Sequence, residues 1–289
     1  MQDAPRLPEW LRKPHTHFVS VDALKRGLRR LQLHTVCESA RCPNLHECFH
    51  RGTAAFLILG NLCTRSCGFC SVPKGAPRTL PDPSEPGNLA RMAAGMRLRH
   101  VVITSVTRDD LEDGGASHFA HTVREVRAAL PQARIEVLTP DFRGDLQAVA
   151  RVLEAGPDVF NHNLETVARL YPRVRPQADY RRSLAVLDFA HRRRPEVLTK
   201  SGLMVGLGEA PQEVEQALRD LRAAGVQVAT IGQYLQPARR NLPVAAYIPP
   251  EQFEAYRACG LSIGFKMVFA SPLVRSSYLA EAVWGQAVS

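Results

Sequence analysis

Seven short apolar segments, separated by amphipathic stretches, recur along the chain from residue 54 onward. Their near-continuous hydrophobicity is typical of strands buried on both faces, as in a parallel sheet. The segments are residues 54–60, 100–106, 134–140, 158–163, 200–207, 228–235 and 263–270. Because a repeated strand-then-helix unit implies right-handed crossovers, the sequence predicts an α/β barrel or an open α/β sheet.

The helical stretches between the later segments carry recognisable end signals. Pro211 and Pro250 stand where a first-turn proline is tolerated, and Gly225 and Gly260 stand where a left-handed cap is expected. Polar residues follow the strand segments, and in this fold class the reactive groups gather at the carboxyl ends of the strands. The length of 289 residues fits one α/β domain.

Two extensions flank the predicted barrel, which spans residues 53–271. Residues 1–52 form an N-terminal extension with three cysteines, and residues 272–289 form a tail that contains "RSSY". No Gly/Ser-rich or acidic linker separates them, so both are expected to pack on the barrel. The first twenty residues contain no secretory apolar region, and the longest apolar run is shorter than the roughly 20 residues of a membrane span. We therefore expect a cytoplasmic protein without a membrane segment.

Six of the seven cysteines fall into two triplets with different spacings. The triplets, C-x4-C-x5-C and C-x3-C-x2-C, consist of Cys37, Cys42 and Cys48, and of Cys63, Cys67 and Cys70. In a chain without a secretory signal thiols stay reduced, so metal binding accounts for the triplets better than disulfides do. Three thiolates from one tight loop can hold a four-iron cluster and leave one iron open for a substrate or cofactor.

Neither a zinc site nor a set of buried free cysteines fits the triplets as well. A structural zinc site would show paired C-x2-C halves and four ligands, which this pattern lacks. Buried free cysteines are disfavoured because Thr64, Arg65, Ser66 and Gly68 make the loop of the second triplet polar. The spacing therefore favours iron–sulfur chemistry.

The chain carries a formal net charge of +9, with arginine clusters such as "HRRRP". Such a surface favours an acidic partner, either nucleic acid or an acidic protein face, and it also fits a generally basic solvated surface. No basic stripe interleaved with aromatic residues appears, so the net charge alone does not decide between these interpretations.

The pattern C-x3-C-x-aromatic-C, with Phe69 as the aromatic residue, resembles the signature of the radical S-adenosylmethionine superfamily. Within it, the chain is similar to the lipoyl synthase family over residues 8–278. The stretches that carry this resemblance are "CESARCPNLHEC", "VVITSVTRDDLEDGGASHFA", "NHNLETVARLYPRVRP", "KSGLMVGLGE", "TIGQYLQP" and "PLVRSSY". One departure is Leu279, since a histidine often follows the last tyrosine in this family.

The resemblance implies an α/β fold of the partial (β/α)6-type TIM barrel class, with N-terminal and C-terminal extensions. It also implies a sulfurtransferase that inserts two sulfur atoms, at the sixth and eighth carbons of an octanoyl chain carried on a protein lysine. The implied cofactors are S-adenosylmethionine and two [4Fe–4S] clusters. The cluster on Cys63, Cys67 and Cys70 would bind S-adenosylmethionine through its open iron and generate the radical.

The first triplet, by the same resemblance, holds an auxiliary cluster that donates the sulfur. Cys37, Cys42 and Cys48 would be its cysteine ligands, and a serine oxygen of "RSSY" its fourth. We expect Ser277 rather than Ser276 in that role. An alkoxide is easily displaced, which suits an iron that must leave. The alternative is that both hydroxyls only cap or turn the tail.

A further set of residues is expected near S-adenosylmethionine, at the strand ends or facing the barrel interior. They are Phe69, Thr107, Asn161, Asn163, Glu165, Lys200 and Gln233. The alternative for the Asp and Asn residues is a turn or cap, since such side chains commonly close turns. His162 is expected to be packed rather than a ligand, and Cys259, alone in a helical pattern, to be a small core residue.

The implied partners are octanoylated lipoyl-carrier domains, namely 2-oxoacid dehydrogenase E2 subunits and the glycine cleavage H protein. An electron donor such as ferredoxin or flavodoxin and an iron–sulfur carrier that rebuilds the auxiliary cluster are also implied. Neither a membrane nor a nucleic acid is an expected partner. The alternatives are another sulfur-inserting superfamily member, resembling biotin synthase or a tRNA methylthiolating enzyme, and a zinc-stabilised nucleic-acid-binding module.

Overall fold

The computed structural model describes residues 7–11, 22–39, 42, 44–50 and 53–277. Its centre is one eight-stranded sheet in which the strands follow their order in the chain. A two-residue edge strand, β1 (His34–Thr35), is antiparallel, and the seven strands after it are parallel. These are β2 (Thr53–Ile58), β3 (His100–Ser105), β4 (Arg134–Leu138), β5 (Val159–Asn161), β6 (Leu198–Val205), β7 (Val228–Gln233) and β8 (Met267–Ala270).

Within the barrel, the helices follow the strands as the sequence predicts. Three short ones precede the parallel strands: α1 (Asp22–Arg30), α2 (Val36–Ser39) and α3 (Leu45–His50). Those of the barrel are α4 (Glu85–Gly95), α5 (Ala116–Ala129), α6 (Leu146–Glu154), α7 (Tyr171–Val174), α8 (Tyr180–Arg193), α9 (Pro211–Ala223) and α10 (Pro250–Ser262). Single 3-10 turns lie at Glu9–Leu11, Phe142–Gly144 and Ala168–Leu170. Each of β2 to β7 is followed by at least one helix, which confirms the α/β fold of a partial (β/α)6-type barrel.

Local signals account for several helix ends. The Asp145 side chain accepts hydrogen bonds from the backbone N–H groups of the first turn of α6, and Asp179 does the same for α8. Gly225, with φ of 77°, lies just past the end of α9, as predicted. Gly260 is different, because it lies inside α10, where a Cβ would come within 2.6 Å of Val268 Cγ2. Gly260 therefore lets α10 approach β8 closely and is not a cap.

Two apolar clusters fill the space between the sheet and its helices. One lies under the first half of the barrel and includes Phe119 and Val152, and the other lies under the second half and includes Leu218 and Phe253. All four side chains are almost fully buried, so hydrophobic burial holds helices and sheet together. Within the described ranges, no helix combines the length and the apolar character needed to span a bilayer.

Both extensions are hydrogen-bonded to the barrel. Strand β1 pairs with β2 through Thr35 and Phe56, and the tail lies over the end of β7, where Gln233 N donates to the Pro272 carbonyl at 3.2 Å. The Asn44 side chain joins the two extensions by donating to the Leu273 carbonyl at 2.8 Å. The division into residues 1–52, 53–271 and 272–289 stays a prediction.

Candidate active site

A cavity of about 530 Å³ opens at the carboxyl ends of the parallel strands. Its wall contains the six cysteines of the two triplets, Cys37, Cys42, Cys48, Cys63, Cys67 and Cys70. Ser276 and Ser277 of the tail lie in the same wall. The N-terminal extension, the barrel and the C-terminal tail thus contribute to one cavity.

The loop of the second triplet follows β2 and is fixed by backbone hydrogen bonds to three other segments. Thr64 N donates to the Thr107 carbonyl at 3.0 Å, Gly68 N to the Val174 carbonyl at 2.9 Å, and Leu242 N to the Gly68 carbonyl at 3.0 Å. These contacts come from the ends of different strand–helix units, so the barrel as a whole sets the position of the loop.

Arg65, a buried residue of this loop, binds carboxylates at the ends of two neighbouring strands. Arg65 Nε donates to Asp109 Oδ2 at 2.7 Å, and its Nη2 donates to Asp141 Oδ1 at 2.6 Å. Burial by itself would raise the pKa of Asp141, but its bonds to Arg65 outweigh burial and lower that pKa to about 2. The ion pairs therefore persist at neutral pH and fix the loop of the triplet to the β3 and β4 ends.

The thiols of both triplets are strongly affected by burial. Desolvation raises the pKa of Cys37 to about 12 and that of Cys70 to about 11, and it also raises the pKa of Cys67. Free thiols of this kind stay protonated at neutral pH, whereas a bound metal replaces the proton. The backbone N–H of Thr107 points at Cys63 Sγ from 3.4 Å, an arrangement that suits a thiolate.

The two triplets carry the donor atoms of iron–sulfur clusters. Among the residues that the structure describes, no group of three His, Cys, Asp or Glu side chains is close enough to bind one metal ion. The thiolates of a four-iron cluster each bind a different iron, so they stand further apart than the ligands of one zinc ion. Two sets of three free cysteines in one cavity wall supply the thiolate ligands that two such clusters use.

The first triplet is built on short elements that the tail reaches. Cys37 lies in α2, Cys42 N donates to the Cys37 carbonyl at 3.0 Å, and Cys48 N in α3 donates to the Asn44 carbonyl at 2.9 Å. Asn44 is also the residue whose side chain binds the tail. The segment that contains Ser277 is thereby held beside the first triplet, across 229 residues of sequence between Asn44 and Leu273.

Five of the residues predicted to contact S-adenosylmethionine lie in the cavity wall: Phe69, Thr107, Asn163, Glu165 and Gln233. Glu165 has a φ of 68°, and its Oε1 accepts from Asn163 Nδ2 at 3.1 Å. Burial raises the pKa of Glu165, and Asn163 Oδ1 is buried without a hydrogen-bond partner in the described structure. Gln233 instead uses its amide on the backbone, donating to Ala246 and accepting from Ile248.

Asn161 and Lys200 lie one layer beneath the cavity wall. Lys200 Nζ donates to both carboxylate oxygens of Glu136, at 3.0 and 3.1 Å, and Asn161 Nδ2 donates to Oε1 at 2.9 Å. Asn161 and Lys200 each precede a residue of the cavity wall by two positions. These wall residues are Asn163 and Gly202. Because strand side chains alternate with a period of two, these two point into the barrel at a lower layer than the cavity.

Two arginines of the cavity wall, Arg175 and Arg275, are not marked as site residues by any pattern in the sequence. Nothing in "YPRVRP" distinguishes Arg175, which is 8% exposed, from the exposed Arg173. His162 is buried as expected, and burial lowers its pKa to about 4, so it is neutral at pH 7. Cys259 is only part-buried, so the expectation of a core residue was wrong, because its face of α10 is turned partly to solvent.

Comparison with known proteins gives a consistent result across the chain. A family model described as the Radical SAM superfamily matches residues 57–221, and one described as the N-terminal domain of lipoyl synthase of the Radical SAM family matches residues 1–42. The chain is 53% identical to a lipoyl synthase of Thermus thermophilus, covering 97% of this chain and 87% of that protein. It is 55% identical to a lipoyl synthase of Rubrobacter xylanophilus, covering 95% and 85%.

Among solved structures, the fold resembles the FeFe-hydrogenase maturase HydG of Carboxydothermus hydrogenoformans. The TM-score is 0.56 and the identity 14%, over 92% of this chain and 77% of that one. At this identity the likeness supports the barrel fold alone.

Proposed function

Since the chain belongs to the lipoyl synthase family of the radical S-adenosylmethionine superfamily, we propose that its two cysteine triplets hold the two clusters of that activity in one shared cavity. The family activity is an enzymatic sulfur insertion that uses S-adenosylmethionine and [4Fe–4S] clusters. The observation that carries the proposal is the presence of all six triplet cysteines in one cavity wall.

The second triplet is proposed to bind the cluster that accepts S-adenosylmethionine, and the first triplet the auxiliary cluster. When bound, these groups supply the electron that splits S-adenosylmethionine to a 5′-deoxyadenosyl radical and the sulfide that is inserted. Cys63, Cys67 and Cys70 hold the former on a loop that Arg65 and the backbone contacts keep rigid. A rigid loop keeps the reacting atoms in the short-range geometry that radical transfer needs.

Ser277 is proposed as the fourth ligand of the auxiliary cluster. The support is its place in the cavity wall, together with the Asn44 hydrogen bond that keeps the tail beside the first triplet. The tail also lies very close to β7, since a Cβ on Gly232 would stand 2.1 Å from the Val274 carbonyl oxygen. Because Val274 is held so close to β7, the positions open to the hydroxyls of Ser276 and Ser277 are restricted. Ser276 lies in the same wall and is the alternative ligand.

Thr107, Asn163 and Glu165 are proposed to contact S-adenosylmethionine. Asn163 Oδ1 is a buried acceptor without a partner in the described structure, so a ligand donor would satisfy it. Phe69 adds an apolar face to the same wall. The role of Gln233 is to hold the loop at Ala246 and Ile248, which closes one side of the cavity. Asn161 and Lys200 are not part of this contact set.

An apolar part of the wall is proposed to take the octanoyl chain. Leu57, Val106, Leu138, Leu203 and Met204 lie in the cavity, between the strand ends. An acyl chain without polar groups is held there by burial, at about 0.8 kcal/mol per buried CH₂. The same side chains exclude water, which protects a carbon radical from side reactions.

Exposed cations near the cavity suit an acidic carrier domain. We call Lys74, Arg78, Arg173, Arg239 and Arg240 the basic rim; all five are exposed, and none forms an ion pair within the described ranges. The segments that carry Lys74, Arg173, Arg239 and Arg240 meet at the second cysteine loop through backbone hydrogen bonds. Opposite charges on a partner would speed association and orient the acylated lysine toward the cavity.

The proposed partners are octanoylated E2 and H-protein domains, a ferredoxin or flavodoxin as electron donor, and an iron–sulfur carrier that rebuilds the auxiliary cluster. We propose a cytoplasmic location, because the chemistry needs reduced thiols. Glutamine substitutions at Arg78, Arg173, Arg239 and Arg240 should raise the KM for an octanoylated carrier domain and leave that for a short octanoyl-lysine peptide unchanged. Lys74 is kept, because its Nζ donates to the Cys67 carbonyl at 2.8 Å. The same substitution at Arg99 and Lys266, exposed cations at the amino ends of β3 and β8, is the matched control.

The main proposal is tested on anaerobically reconstituted protein with reductant, S-adenosylmethionine and an octanoylated carrier. Iron and sulfide analysis should give about eight of each per chain, as two four-iron clusters require. The products should be 5′-deoxyadenosine and a lipoyl group. Zinc with little iron would instead support the binding module, and product formation with only four irons would remove the two-cluster arrangement.

A further inference from the structure

Two buried or cavity-facing arginines, Arg175 and Arg275, differ from the other enclosed cations of the barrel. Arg65, Arg108 and Lys200 each form an ion pair with a carboxylate. Within the described part of the chain, neither Arg175 nor Arg275 has a carboxylate at ion-pair distance; their hydrogen bonds go to neutral oxygens.

Arg175 is held by groups that orient it without neutralising it. Its Nη1 donates to the carbonyls of Asn163 at 2.8 Å and Leu164 at 3.2 Å, and to the Tyr171 hydroxyl at 3.2 Å. The guanidinium also lies over the Tyr171 ring, 5.4 Å from its centroid. Its Nε is buried and has no partner in the described structure.

Arg275 is fixed in a similar way at the other side of the cavity. Its Nη1 donates to the Val274 carbonyl at 2.6 Å and to the Pro272 carbonyl at 3.5 Å. A Cβ on Gly232 would stand 3.2 Å from that nitrogen, so the missing side chain of Gly232 leaves the space that the guanidinium borders. Two residues further along the chain is Ser277.

Arg175 is buried and Arg275 is half-buried, and a cation withdrawn from water without a paired counter-charge destabilises a fold. Dipoles of carbonyl and hydroxyl groups compensate only part of that. Backbone and side-chain contacts place one arginine beside each triplet. Gly68 N, in the loop of the second triplet, donates to the carbonyl of Val174, the residue before Arg175, at 2.9 Å, and Arg275 lies two residues after Leu273, whose carbonyl accepts from Asn44. Glu165 and Asp141 also favour the charged form of Arg175 but do not reach ion-pair distance. There is one such arginine for each triplet, and a four-iron core with its thiolates is a net anion.

We propose that Arg175 and Arg275 are the counter-cations of the two clusters, Arg175 for the cluster on Cys63, Cys67 and Cys70 and Arg275 for the auxiliary cluster. This inference rests on the proposed function, because it requires both clusters. The reduction potential of an iron–sulfur cluster depends on the net charge of the cluster and on the groups that surround it. A fixed positive charge favours the reduced, more negative form, so each arginine raises the potential of its own cluster and helps to retain its iron.

Full-length proteins that hold a single cluster allow each potential to be measured separately. Two backgrounds are needed, with alanines either at Cys63, Cys67 and Cys70 or at Cys37, Cys42 and Cys48. In each background, Arg175→Met and Arg275→Met are compared by redox titration followed by electron paramagnetic resonance. The exposed Arg99→Met is the control for loss of one positive charge.

Each arginine should affect one cluster only. Arg275→Met should lower the reduction equilibrium constant of the auxiliary cluster at least tenfold, which is 59 mV for a one-electron couple, and leave the other cluster unchanged. Arg175→Met should do the reverse, and Arg99→Met should shift neither. Lysine at either position keeps the charge, so Arg175→Lys and Arg275→Lys should restore most of the potential and of the iron retained after chelator treatment.

Several outcomes would overturn the inference. Equal effects of Met and Lys would mean that the guanidinium acts by shape, through its carbonyl contacts, and not by charge. An unchanged potential in Arg175→Met with weaker S-adenosylmethionine binding would assign Arg175 to a ligand carboxylate instead. Unchanged potentials in fully loaded protein refute the counter-cation role alone, whereas failure of the unsubstituted chain to hold two clusters refutes the proposed function.

Discussion

Removal of the ammonium group of Lys200 tests whether the layer beneath the cavity is structural. Lys200 and Glu136 are both 0% exposed, and the pair is bidentate, at 3.0 and 3.1 Å. Breaking such a buried pair from one side destabilises a protein by about 3–5 kcal/mol. We expect the lower half of that range for Lys200→Met, because Asn161 still donates to Glu136. With about 2.1 cal/mol/K of unfolding entropy per residue, the midpoint temperature of thermal unfolding should fall by about 5–7 °C.

The pH dependence of that variant follows from Glu136. Burial alone would raise its pKa, but Lys200 in particular lowers it to about 2, below the value of 4.5 expected when unfolded. In the unsubstituted protein this stabilisation is present above pH 4.5 and is lost as the pH falls toward 2. Without Lys200, burial is the largest remaining influence and should raise the pKa of Glu136 against the opposing contacts of His100 and Asn161, so the variant gains stability as the acid protonates. The stability difference between the two proteins should therefore shrink from pH 7 to pH 4.5.

The measurement is thermal and urea unfolding of metal-free, reduced protein between pH 4.5 and 7. The double variant Lys200→Met with Glu136→Leu should recover most of the loss, because it removes both buried charges. Arg219→Met, which breaks an exposed pair with Glu215, is the control and should change stability little. The structural role would be refuted if Lys200→Met left the stability unchanged and bound S-adenosylmethionine much more weakly. Lys200 would then be assigned to the cofactor site.

The remaining predictions concern the cluster ligands. Cys67→Ala should abolish 5′-deoxyadenosine formation, because the open iron is no longer held; normal cleavage of S-adenosylmethionine by that variant would contradict the assignment. Cys42→Ala should still form 5′-deoxyadenosine and remove hydrogen but deliver no sulfur, and mass spectrometry that found the full lipoyl product would reject a sacrificial auxiliary cluster. Ser277→Cys should give a more chelator-resistant auxiliary cluster that transfers sulfur poorly, while Ser276→Cys should have less effect. Equal behaviour of the two serine variants in iron-release and turnover assays would refute Ser277, in preference to Ser276, as the fourth ligand of the auxiliary cluster.

Periodicity and spacing predicted the secondary structure well because both are local properties. Each of the seven apolar segments overlaps one of the parallel strands, since strands covered on both faces must be apolar along their whole length. Gly260 was misjudged because a cap and a close helix–sheet contact both favour glycine. Only the neighbouring strand, through Val268, distinguishes the two.

The sequence by itself determined the strand–helix order, the two sets of three thiols and, through its resemblance to a family, the chemistry. Tertiary structure alone decided which layer each polar side chain occupies. Asn161 and Asn163 are two residues apart, yet one binds Glu136 beneath the cavity and the other lines it. The physical reason is that strand register and barrel curvature, not sequence distance, bring groups together. The same reason places Asn44 against Leu273, 229 residues away, and turns Arg175 inward while Arg173 stays exposed.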